Sequence, residues 1–177
     1  MITPETKSWT WVLETACPDC GLDTPAVPTA RVAALTRANA AAWHELLVGG
    51  GDELRTRPNP DTWSPVEYAC HVRDVFRLFD ERLRLMLEQD APDFANWDQD
   101  ATAVESRYAE QDPATVAAEL AEASAVLADR FAAVADDQWT RTGNRSDGTV
   151  FTVESFARYF IHDPVHHLWD VTGVRAG

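Results

Sequence analysis

The chain has 177 residues, enough for one domain with a substantial core. Its 15 lysines and arginines stand against 29 aspartates and glutamates, and a net charge of −14 sets aside nucleic acid and anionic membrane as principal partners. No apolar run approaches the roughly 20 residues of a membrane span, and Pro4, Glu5, Lys7 and Glu14 interrupt any apolar signal core, so a cytoplasmic protein is expected.

Residues 1–28 read as an extended N-terminal arm packed on a helical body. The arm carries Trp9, Trp11, the Cys17-Pro18-Asp19-Cys20-Gly21 turn, Pro25 and Pro28. Residues 29–177 read as that body. A first helix is predicted from Thr29 to Val48, with Val32, Leu35, Ala42 and Leu46 on one stripe and Gly49-Gly50-Gly51 ending it. The second starts at Ser64, with Pro65 in the first turn and Glu67 completing a capping box. Two neighbouring apolar rows follow, one through Val66, Val72, Phe76 and Leu83, the other through Tyr68, His71, Val75 and Leu78. So wide an apolar face belongs inside a bundle. Residues 90–111 form a long connection, and Phe94, Trp97 and Tyr108 predict that it packs. Asp112-Pro113 opens a third helix to about Ala135. Trp139 to Phe151 has the turn chemistry of a short hairpin, and a last helix runs from Thr152 to Thr172-Gly173. The expected fold is all-α, a four-helix bundle with a cysteine-bearing arm.

His162 and His166 stand four apart on the last helix and therefore share a face. His71 lies on the apolar face of the second helix. Bundle-core metal sites are assembled from facing helices in this way, and three imidazoles suit zinc or nickel with positions left open. On spacing alone, a chance or hydrogen-bonded core pair stays open as well. A zincin would place Glu directly after the first histidine; here Asp163 and the helix-bending Pro164 follow it, which argues against a zinc peptidase. Asp163 and Asp170 are candidates to orient a ligand from behind. His44 and His167 are expected as surface or packing residues.

The stretches Trp63-Ser64-Pro65-Val66-Glu67-Tyr68-Ala69-Cys70-His71 and Tyr159-Phe160-Ile161-His162-Asp163-Pro164-Val165-His166-His167 resemble the DinB-like superfamily. That resemblance implies a four-helix bundle, zinc or nickel held by His71, His162 and His166, and a homodimer. It also implies chemistry with a low-molecular-weight thiol such as mycothiol. Leu168 stands where related sulfoxide synthases carry a glutamate, which disfavours oxygen-activating iron chemistry. The leading expectation is a metal-dependent thiol S-transferase whose partners are a small electrophile and a thiol. The alternatives are a metal-dependent hydrolase assisted by Asp163 or Asp74, and a non-enzymatic binding or stress-response protein. Arg73 and Arg158 are candidates to hold a polar thiol, or else they solvate helix faces.

Three cysteines are too few for a disulfide framework. Cys17 and Cys20 resemble half a zinc knuckle, but a structural zinc needs four ligands and no second such pair exists in the sequence. Metal binding with help from elsewhere, a reversible disulfide and a plain structural turn all stay open for the pair.

Overall fold

The computed structural model describes residues 8–176, so Met1–Lys7 of the expected arm and Gly177 lie outside the described residues. Helices α1 (Thr29–Gly49), α2 (Pro65–Glu88), α4 (Pro113–Ala132) and α5 (Val153–Thr172) are long, and a short α3 (Gln99–Glu105) lies within the 90–111 connection. Local chemistry explains where they start. Glu67 Oε2 accepts from the Ser64 N–H and Oγ at 2.8 Å each, and Pro65 needs no hydrogen-bond partner in the first turn. Asp112 accepts from the Thr115 N–H at 2.9 Å, and Thr152 accepts from the Ser155 N–H at 3.1 Å. Gly173 ends α5 at φ +70°, a left-handed conformation in which a side chain would be strained.

Around the core the long helices follow the order α1, α4, α2, α5. Helices α4 and α5 each pack on both α1 and α2, which meet only marginally. Trp43, Phe76, Leu83, Leu120, Leu127, Phe156 and Phe160 fill the interior. The Phe160 ring lies 5.2–5.8 Å from those of Phe76, Phe79 and Phe131.

The predicted hairpin is present as β1 (Thr142–Asn144) and β2 (Val150–Thr152), antiparallel with Gly143 opposite Phe151. It also receives the 90–111 connection: the Phe94 N–H donates to the Asn144 carbonyl, and the Asn144 N–H to that of Pro92, each at 2.8 Å. Phe94 and Tyr108 are buried, as their apolar character predicts. Helix α5 stays helical across Pro164, whose carbonyl accepts from Asn39 Nδ2 at 2.8 Å.

Over residues 8–28 the arm is not extended. It folds into two 3-10 turns, Thr10–Leu13 and Thr24–Ala26, both against α5. The cause is burial close to the turn chemistry: Val12, Cys17, Cys20, Thr24 and Val27 are all enclosed, and the Thr24 hydroxyl donates to the Val12 carbonyl. No helix among the described residues is long and apolar enough to cross a membrane.

Candidate metal centres

Helix α5 carries two pairs with four-residue spacing, one residue out of step: His162 with His166, and Asp163 with His167. A step of one residue turns about 100° around a helix, so the two pairs look in different directions. The first pair meets the arm. The second meets α2.

His71, Asp163 and His167 form one group of donor atoms, all within 4.8 Å of one another. His71 is fully buried, and neither of its ring nitrogens has a hydrogen-bond partner. Its Nε2 stands 3.5 Å from Asp163 Oδ1, an oxygen that is likewise buried and without a hydrogen bond. Buried polar atoms left in this state are costly, and a cation between them removes the cost. Burial works against ionising Asp163, but His167 and His71 outweigh it and pull the carboxyl down to about 2. Asp170 Oδ2 lies 2.9 Å from His167 Nδ1, and His167 Nε2 lies 3.7 Å from Asp163 Oδ2. Asp170 therefore holds the ring by one nitrogen while the other faces the group, the usual way a carboxylate orients a metal-binding imidazole.

Asp163 and His167 stand in the wall of a cavity of about 460 Å³ that opens to solvent. Trp9, Trp63, Trp97 and Tyr159 give it aromatic sides, and Arg82 and Arg145 give it positive charge. Arg145 is paired with Asp147 at 2.6 Å. Arg82 lies over the rings of Phe79 and Phe94 and makes no ion pair within 4 Å among the described residues. Burial and the neighbouring Arg145 both weaken its hold on its proton.

Cys17, Cys20, His162 and His166 form a second group, again with donor atoms within 4.8 Å of one another and all four residues buried. Cys17 Sγ is 3.6 Å from His166 Nδ1. Burial, reinforced by the neighbouring His166, lowers His162 to about 4, so the ring is neutral near pH 7. Burial pushes the Cys20 thiol up to about 11, and all three cysteines are free.

The histidine trio expected from the sequence is therefore not one group among the described residues. His162 and His166 go to the cysteines, and His71 goes to Asp163 and His167. Asp163, expected behind the ligands, presents its own oxygen among the donor atoms. His167, expected as a packing residue, stands beside His71 with ring centroids 4.8 Å apart. The available signal was the doubled spacing itself, since Asp163/His167 repeats the interval of His162/His166. Asp74 does not line the cavity; it accepts from Arg73 at 2.8 Å and from the Tyr108 hydroxyl at 2.5 Å. Arg73 is buried and also meets Glu119, while Arg158 donates to the Val27 carbonyl. Both arginines are thus structural in their contacts. Cys70 faces the Tyr108 carbonyl, away from either group.

No curated protein matches the chain. Among solved structures it is similar to YfiT from Bacillus subtilis, described as a probable metal-dependent hydrolase with an unusual four-helix bundle topology. The identity is 18%, the TM-score is 0.76, and 82% of this chain and 84% of that one are covered. That likeness establishes the shared four-helix fold. The sequence profile of the DinB superfamily matches residues 33–171, from within α1 to the end of α5, and the chain belongs to that superfamily.

Proposed function

We propose that the protein is a divalent-metal-dependent enzyme whose catalytic ion is held by His71, Asp163 and His167, and that it transfers a low-molecular-weight thiol to a small electrophile. The observation carrying this reading is a three-donor group, two of whose members, Asp163 and His167, line a solvent-open cavity, with orphaned buried atoms on His71 and Asp163. Two imidazoles and a carboxylate are a donor set for zinc or a similar ion, and three protein ligands leave room for a reactant. Such an ion, when bound, lowers the pKa of a coordinated thiol or water and makes it a nucleophile at neutral pH. The chain's own residues do the rest. Asp170 fixes the His167 ring, Trp63 and Trp97 pack on His71, and aromatic side chains form part of the cavity wall. Arg82, with no carboxylate partner among the described residues, offers a cationic anchor for an anionic group on either reactant.

A second reading, hydrolysis, has two points in its favour. Two histidines with one carboxylate is the ligand set of several hydrolytic zinc enzymes, and the similar Bacillus protein is described as a probable metal-dependent hydrolase. One experiment separates the two. Thiol consumption is followed with a panel of electrophiles, using metal-loaded wild type, His71→Ala and His167→Ala. Metal-dependent consumption in wild type, reduced to the uncatalysed rate in both variants, is the expected result. Equal rates in all three remove the mechanism. Turnover that persists after every small thiol is removed selects hydrolysis instead.

A further inference from the structure

We propose that Cys17, Cys20, His162 and His166 form a second metal site: a closed, four-ligand zinc clasp that fastens the N-terminal arm to α5. The inference stands independently of the thiol-transfer reading, because it concerns different ligands on a different face of the helix.

The ligand chemistry points to zinc. Two thiolates and two imidazoles in tetrahedral array form a structural zinc set, with no position left for substrate. Zinc–ligand bonds of about 2.3 Å to sulfur and about 2.0–2.1 Å to nitrogen put a sulfur and a nitrogen about 3.6 Å apart in a tetrahedron. The separation of Cys17 Sγ and His166 Nδ1 is 3.6 Å. The remaining donor atoms lie within 4.8 Å, close enough for side-chain rotation to complete the array. Charge balances as well. The two thiols bind as thiolates and release two protons, so the ion with two thiolates and two neutral imidazoles carries no net charge in a buried place.

His162 Nε2 is the independent sign. The residue is only 4% exposed, and this nitrogen has no hydrogen-bond partner. A Cys17–Cys20 disulfide would engage the two sulfurs and leave that nitrogen as it is. A metal would engage all four residues.

The surrounding backbone is built to hold such a knuckle. The Gly21 N–H donates to the Cys17 carbonyl at 3.0 Å and the Cys17 N–H to that of Leu22 at 2.9 Å, with Gly21 at φ +82°. The C-terminal segment straps over the turn: the Ala176 N–H donates to the Cys20 carbonyl, and the Arg175 guanidinium to that of Pro18, each at 2.8 Å. Just before the knuckle, the Trp9 ring lies 5.3 Å from that of His162 and 5.0 Å from that of His166, and the same Trp9 walls the cavity. His162 and His166 line that cavity too, so the clasp positions one of its sides.

The test is X-ray absorption at the zinc edge on full-length His71→Ala, purified under reducing conditions and supplied with zinc. The expected result is about one zinc per chain, with two sulfurs at about 2.3 Å and two nitrogens at about 2.0–2.1 Å. Cys20→Ser is expected to lose that sulfur-bound zinc. Should either variant fail to fold, the wild-type spectrum carries the same question, because the catalytic group contains no sulfur. A zinc shell without sulfur overturns the proposal, as does a Cys17–Cys20 disulfide that persists with zinc present. Absence of thiol-transfer activity leaves the outcome untouched, since the spectrum reads ligands and not turnover.

Discussion

Replacing Glu67 by alanine tests how the start of α2 is secured one turn before His71. The Glu67 carboxylate is 3% exposed and accepts from the Ser64 N–H, the Ser64 hydroxyl and both ends of the Arg57 guanidinium. Removing it strands the buried Ser64 N–H, at a cost of about 1–3 kcal/mol. The lost ion pair adds about 0–1 kcal/mol, a small amount because the Arg57 side chain is 36% exposed and stays hydrated. At about 2–4 °C per kcal/mol for a domain of this size, a loss near the middle of that range lowers Tm by about 5–10 °C. The pH dependence has a definite sign. Burial opposes ionisation of Glu67, but the Arg57 and Ser64 hydrogen bonds together hold it below its ordinary 4.5. A carboxyl lowered by folding stabilises the protein fully above 4.5 and loses that contribution as pH falls through its folded-state value. Calorimetry of wild type and Glu67→Ala from neutrality down through the carboxylate range is therefore expected to show the Tm gap closing in acid. A gap under about 1 °C at neutrality, or one unchanged in acid, would refute the reasoning.

Two further perturbations probe the hairpin and the carboxylate behind the metal group. A Cβ on Gly143 would run into the Phe94 ring and come within 2.9 Å of Met86 Cγ, so Gly143→Ala is expected to destabilise by about 1–3 kcal/mol in urea unfolding. A change under about 0.5 kcal/mol would mean that Phe94 moves aside freely. Asp170→Ala frees the His167 ring and is expected to weaken metal binding at His71, Asp163 and His167 about 10–100-fold in chelator competition. Unchanged affinity would show that the ring needs no such support.

Much of the architecture was legible because its causes act over a few residues. Ser64-Pro65 with Glu67, Asp112-Pro113 and Thr152 announce helix starts through contacts no more than three positions long. Gly143, Asn144 and Asp147-Gly148 announce a turn for the same reason, and the wide apolar rows of α2 announce a bundle. That His162 and His166 share a face of α5 was also legible from their spacing, and that Cys17 and Cys20 share one turn from theirs.

Which histidine serves which group was not. Successive residues on α5 differ by about 100° in direction, so ligand assignment depends on how the helix is rotated against α2 and the arm, and spacing is blind to that rotation. His162/His166 and Asp163/His167 have the same interval and opposite fates. Likewise, half a zinc knuckle looks incomplete in the sequence because Cys17 and His166, the residues that meet, are 149 positions apart. Sequence by itself determined where the four long helices begin, that they form a bundle, and which residue types are available to bind metal. Tertiary packing alone decided the partners, because donor atoms only a few ångströms apart are brought together by the rotation of α5 and the fold of the arm upon it.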